Sequence, residues 1–205
     1  FSSWGIEVLL PTLCHYNVFF GVDHEMNGQN MIELAAIHGA PEVLYVGHSA
    51  GGLAAIIAAS QDNNTVGVIG LDTTDTQDVP GVPDFIGRNY AGGVTAPAFF
   101  IGGEPSSCNA NNNGVDLFKM MPDYRAIKVS GSDHCDFENP TDSICEAACE
   151  NASSEFSEEE IKSIIISLST AAIASLTILP DAGELIWAES NLRDWINSGI
   201  IEDIE

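Results

Sequence analysis

The chain has 205 residues, 45% of them hydrophobic and 8% aromatic, enough apolar material to bury a core and too much for a disordered polypeptide. Six Lys and Arg stand against 30 Asp and Glu, a formal charge of -24. That charge excludes a nucleic-acid partner and works against binding to anionic lipid; it fits a secreted protein or a saline setting, where cations screen the self-repulsion. The length fits one domain over residues 1–205.

In chain order, residues 6–11 (Ile-Glu-Val-Leu-Leu-Pro) predict a strand that stops at its proline. Residues 28–38 predict a helix, with Met31, Leu34, Ala35 and His38 at helical spacing and Gly39 at its end. A second strand over 42–47 and a second helix over 51–60, rich in Ala and Ile, follow. Further short apolar strands are expected at 66–71, 98–101 and 125–129. The Asn-rich stretch 109–113 reads as a solvated turn, and residues from Ser157 onward as helices split near Pro180, with Ser157 as an N-cap ahead of Glu158, Glu159 and Glu160. The uncharged run 163–180 carries six hydroxyl side chains and an acidic N-terminal flank, so a buried helix is expected there rather than a membrane span. Strands alternating with helices predict an α/β fold, a mostly parallel sheet with helices on both faces.

The five cysteines, Cys14, Cys108, Cys135, Cys145 and Cys149, predict up to two disulfides and one leftover thiol. The last four can pair in three ways. A zinc site of His134, Cys135, Cys145 and Cys149 matches no common zinc spacing. Asp72, Asp75 and Asp78 lack the alternating ligands and glycine of a calcium loop. No metal and no cofactor is called for. Asn63 and Asn151 begin glycosylation sequons, relevant to a eukaryotic secreted chain.

The strongest chemical signal is Gly47-His48-Ser49-Ala50-Gly51, set between a predicted strand and a predicted helix of small residues. Glycines two before and two after the serine permit a sharp, strained turn that exposes the hydroxyl, and the Ala50 N–H then lies at a helix N-terminus, where it can stabilise an oxyanion. A serine hydroxyl needs a base. Of the histidines, His134 alone follows Ser49 in the chain, on the loop after the last predicted strand. His48 is expected to point away from the hydroxyl into the packing beneath the turn, His15 and His24 to be surface or loop residues, and His38 to end a helix. For the acid that orients His134, Asp72 at the C-terminal tip of strand 66–71 is preferred, with Asp75 and Glu104 as rivals; Asp75 and Asp78 are otherwise expected to be solvated.

These residues resemble the α/β-hydrolase superfamily, and within it the chlorophyllase and dienelactone-hydrolase-like serine esterases, with cutinases and polyester hydrolases as further relatives. The likeness spans Trp4 to about Phe137, the C-terminal helices more loosely. Gly47-His48-Ser49-Ala50-Gly51-Gly52 is similar to the chlorophyllase turn, with Ala50 in place of an arginine, and Ile69-Gly70-Leu71-Asp72 is similar to the segment by which chlorophyllases and pancreatic-type lipases place their acid. Cutinases place it one strand later, where this chain has Ser106. The strand 6–11 resembles one that relatives end with Ala-Pro-Asp, although here Pro11 precedes Thr12. The resemblance implies a carboxylic-ester hydrolase with Ser49, His134 and Asp72 as triad and Ala50 as oxyanion donor, acting on a small or medium, aromatic or polyester-type ester. It also implies that the chain begins at the fourth strand of that fold, with about 60–100 residues upstream supplying the first strands and the second oxyanion donor. Cys14 is then the odd cysteine. A binding protein on the same scaffold, or a peptidase or acyltransferase using the same triad, is the alternative.

Overall fold

In the computed structural model, residues 5–14, 16–17, 21–77, 83–141, 143–149 and 152–204 are described. Residues 6–11 run as irregular chain rather than a strand. Their apolar run finds no neighbouring strand to take its backbone N–H and C=O groups among the described residues; Leu10 is 90% exposed and Glu7 instead pairs with His38 at 2.8 Å. A short antiparallel pair, β1 (Tyr16–Asn17) and β2 (Gly21–Val22), follows.

Helix α1 (His24–His38) starts four residues before the expected position, because the Asp23 side chain caps it by accepting the Met26 N–H at 2.9 Å. Gly28 sits inside the helix where it crosses helix α2 (Ala50–Gln61): a Cβ there would lie 2.7 Å from Ile57 Cγ2. The glycine therefore marks a close approach and not a helix end. Gly39, at φ 65°, closes α1 in the left-handed conformation, and His38 is its last residue, as expected.

Among the described residues the main sheet has five strands, in the order β3 (Val43–His48), β4 (Thr65–Leu71), β5 (Ala98–Gly102), β6 (Tyr124–Val129) and β7 (Ile201–Asp203). The first four are parallel; β7, unanticipated in the sequence, pairs antiparallel with β6. Helices cover both faces, and the period-two alternation of β5 shows how. Phe100 packs with helix α2 (Ala50–Gln61), α3 (Arg88–Ala91) and α4 (Val115–Phe118), while Phe99 and Ile101 pack with α6 (Glu158–Ser175), α7 (Pro180–Trp187) and α8 (Glu189–Ser198). In α2 every residue from Gly52 to Ala59 is buried, and its Leu53, Ile56 and Ile57 side chains each contribute about 1.5–3 kcal/mol through burial.

Ser157 caps α6 as predicted, its hydroxyl accepting the Glu160 N–H while Glu160 accepts the Ser157 N–H at 2.9 Å. The uncharged run is buried along one side of this helix, through Ile164, Ile165, Leu168, Ala171 and Ala172. Pro180 opens α7, where its missing N–H costs nothing. No helix among the described residues is long and apolar enough to cross a membrane. Among the described residues the strand leading to Ser49, β3, forms one edge of the sheet, paired on its inner side with β4.

Candidate active site

Ser49 occupies the turn between β3 and α2 at φ 54° and ψ -128°, a conformation that costs a non-glycine residue energy and is held by its surroundings. Its N–H donates to the Leu71 carbonyl at 3.0 Å, and its own carbonyl accepts from Gly52 at 3.0 Å and Thr74 at 3.3 Å. The flanking glycines differ in what they do. A Cβ at Gly47 would meet the Gly51 carbonyl oxygen at 2.2 Å, and one at Gly52 would meet Thr73 Oγ1 at 2.1 Å. At Gly51 the nearest atom would be Leu13 Cδ1, 4.0 Å away. Space thus demands glycine at 47 and 52, and the turn does not need one at 51. Ala50 is the first residue of α2, so its N–H has no acceptor within the helix.

Asp72 follows β4, tied to the next strand by its N–H donating to Ile101 at 2.8 Å. It takes φ 42° and is wholly buried. Beyond β6, His134 opens a 3-10 turn, His134–Phe137, braced on both sides: the Asp133 carboxylate accepts the Cys135 N–H at 2.8 Å and the Asp136 carboxylate accepts the Asp133 N–H at 2.9 Å. The three side chains meet at the C-terminal end of the parallel strands. His134 Nδ1 lies 2.6 Å from Asp72 Oδ2, and His134 Nε2 lies 3.0 Å from Ser49 Oγ. Because an ionised carboxylate only accepts, Nδ1 carries the proton, which leaves Nε2 to accept from the serine hydroxyl.

The rival acids are engaged elsewhere. Glu104 pairs with Lys128 at 3.2 Å and accepts the Gly131 N–H at 3.0 Å. Asp75 is 2% exposed, against the expectation that it is solvated, and its Oδ1 accepts the N–H groups of Thr76 and Gly87. It is drawn inward because the loop after β4 folds back over the sheet end and needs acceptors for these buried amides. Burial pushes its carboxyl above the usual range, against the opposing pull of those hydrogen bonds. Asp78 and His15 lie outside the described residues.

Two histidines depart from expectation. His24 is 6% exposed, at the start of α1 and close to Ala50 and Asp75, and burial pushes its pKa down. His48 does not turn beneath the elbow: its ring lies 4.6 Å from that of His134, tilted by 38°, and stacks on Phe137 at 6.2 Å. Its Nε2 donates to the His134 carbonyl at 3.1 Å. Burial, and then the neighbouring His134, push the His48 pKa down, with Asp72 and Glu138 pulling the other way. The His134 carbonyl and the Phe137 ring, both delivered by the loop after β6, hold it there.

The Asn-rich stretch is also not simply solvated. Asn109 is 0% exposed, and its amide group donates to both Asp72 oxygens, at 3.2 and 3.3 Å. The tract was visible in the sequence; which of its members would turn inward was not, since nothing local separates Asn109 from its neighbours.

Disulfides join Cys108 to Cys149 and Cys135 to Cys145, and Cys14 is free and exposed. The sulfurs of Cys135, Cys145 and Cys149 cluster within 4.8 Å, but each is spent in a disulfide and His134 faces Asp72 and Ser49, so this set does not form a zinc centre. Both bridges run to the segment of α5 (Ser143–Ala148) and Cys149, and each begins beside a residue of the site: Cys108 precedes Asn109 and Cys135 follows His134.

No protein-family profile and no curated protein matches the sequence. Among solved structures, the chain is similar to Est1E from Butyrivibrio proteoclasticus, at 14% identity over 71% of this chain and 72% of that one, with a TM-score of 0.44. A structure of Est1E with ferulic acid bound is matched at 13% identity over 68% and 66% of the two chains, with a TM-score of 0.43. The peroxisomal alpha-beta-hydrolase Lpx1 from Saccharomyces cerevisiae is matched at 11% identity over 78% and 70%, with a TM-score of 0.46.

Proposed function

We propose that the chain is a serine hydrolase of the α/β-hydrolase type that cleaves carboxylic esters, with residues 1–205 as one domain. The observation that carries this reading is His134, held between Asp72 at 2.6 Å and a strained, turn-borne Ser49 at 3.0 Å. In the proposed reaction Ser49 Oγ attacks the ester carbonyl as its proton passes to His134 Nε2. Asp72 orients the ring and stabilises the imidazolium that forms. The Ala50 N–H donates to the oxyanion of the tetrahedral intermediate. His134 returns the proton to the leaving alcohol, and a water activated by the same nitrogen then releases the acid from the acyl-enzyme. No cofactor or metal takes part. Small or medium acyl, aromatic and polyester-type esters are the substrates proposed, and the two disulfides support an oxidising, extracellular or periplasmic location.

The test is hydrolysis of p-nitrophenyl butyrate by the chain and by Ser49→Ala, side by side at high salt. Loss of activity on the order of a thousandfold or more in the variant is expected for removal of the nucleophile. Equal rates in the two proteins would overturn the proposal.

A further inference from the structure

We infer that Asn109 is a positioning residue for the proposed ester hydrolysis, acting through Asp72; the inference rests on the triad proposed above. Asp72 has two oxygens and only one can face His134. Oδ2 meets His134 Nδ1 at 2.6 Å, while Oδ1 accepts the Gly103 N–H at 2.9 Å. Asn109 Nδ2 bridges the pair, 3.2 Å from Oδ2 and 3.3 Å from Oδ1. This bridge opposes rotation of the carboxylate, so that the oxygen aimed at the imidazole stays there.

Asn109 is itself fixed by the main chain. Its Oδ1 accepts the N–H groups of Ser106 at 2.8 Å and Asn112 at 3.1 Å, and its Nδ2 also donates to the Glu104 carbonyl at 2.8 Å. The carbonyl oxygen lies among donors and the nitrogen among acceptors, which leaves one orientation for the amide. The contacts to Ser106, Asn112 and Glu104 close the loop, and the remaining amide hydrogen goes to Asp72. Other ionisable groups around the site are committed elsewhere: Glu104 to Lys128, and His48 to the His134 carbonyl with Glu138 beyond it at 3.9 Å. The oxygen of Asn109 thus serves the loop alone, and its nitrogen serves both the loop and Asp72. Asn109→Asp keeps an oxygen for Ser106 and Asn112 but sets a second oxygen, which only accepts when ionised, against Asp72 and the Glu104 carbonyl; Asn109→Ala removes both the oxygen and the nitrogen contacts.

The experiment compares the parent chain, Asn109→Asp, Asn109→Ala and Ser49→Ala. It reads kcat and KM on p-nitrophenyl butyrate, the melting temperature, and the proton NMR signal of the His134 Nδ1–H shared with Asp72. In folded Asn109 variants kcat falls on the order of ten- to a hundredfold, as for loss of a hydrogen bond to a charged group, KM stays within about twofold, and the Nδ1–H signal shifts or broadens. A folded variant with parental kcat and an unchanged Nδ1–H signal would overturn the inference. So would loss of the fold in both variants, which would make Asn109 a structural residue. If Ser49→Ala keeps parental activity, the triad proposal fails instead, and the Nδ1–H signal alone decides whether Asn109 holds the Asp72–His134 contact.

Discussion

The loops around the site are tied covalently to α5, and replacing Cys108 and Cys149 together by serine measures what that tie contributes. The bridge spans 41 residues, and constraining the unfolded chain by a loop of that length stabilises the fold by about 4 kcal/mol. The inner bridge spans 10 residues; the short cut it makes reduces the effective loop to roughly 32 residues, which changes the figure by only ~0.2 kcal/mol. For 205 residues, the entropy of unfolding is about 430 cal/mol/K, so the loss lowers the melting temperature by about 9 °C. Calorimetry of parent and double variant in non-reducing buffer measures this directly. Because Cys108 adjoins Asn109, hydrolysis well below the melting range is expected to fall as well, as the segment carrying the amide loosens. A melting shift below about 2 °C would refute the loop-closure reasoning, since it would mean that non-covalent contacts already confine this segment in the unfolded chain or replace the bridge in the folded one.

Other perturbations have equally defined outcomes. Gly51→Ala, whose Cβ would make only an ordinary contact with Leu13 at 4.0 Å, is expected to fold and to gain up to about 1 kcal/mol in helix stability. Gly47→Ala, whose Cβ would meet the Gly51 carbonyl, is expected to lose about 3 kcal/mol; urea denaturation of the two variants tests the contrast, and equal stabilities would contradict it. His24 and His48 both have pKa values lowered from 6.5 by burial. As pH falls below that value the unfolded chain takes up protons that the folded chain does not, so stability declines on acidification through this window. Asp75, raised from 3.8 by burial, acts in the opposite sense at lower pH. Melting temperatures between about pH 7.5 and 5.5 should fall in the parent and fall less in His48→Gln; parallel curves would exclude His48 as a contributor. With a formal charge of -24, stability is expected to climb with KCl well beyond ~0.15 M, and a flat response would remove self-repulsion as a factor.

What could be read from the chain alone was whatever depends on local pattern. The apolar runs of β3 to β6 alternate with helical segments, and that alternation predicts a mainly parallel sheet with helices on both faces. Ser49 could be picked out because a strand, two glycines and a helix of small residues leave a serine at a sharp turn. Ser157 could be named as a cap because the residues that satisfy a helix end lie within one turn of it.

The tertiary structure decided everything that needs a partner distant in sequence. Residues 6–11 have the composition of a strand, but a strand forms only where another pairs with its backbone, and among the described residues none pairs with this segment. β7 is the converse: three residues with little intrinsic pattern become a strand because β6 presents a free edge to them. Asp72 and His134 are 62 residues apart, yet the register of β4 against β5 and the 3-10 turn after β6 bring them to 2.6 Å. By polarity alone Asp75 and Asn109 are expected to be solvated. Buried backbone amides and a carboxylate needed partners, and folding brought these two side chains within reach of them. Polarity is a property of the residue; whether a polar group faces water or a buried partner depends on where the fold delivers the rest of the chain.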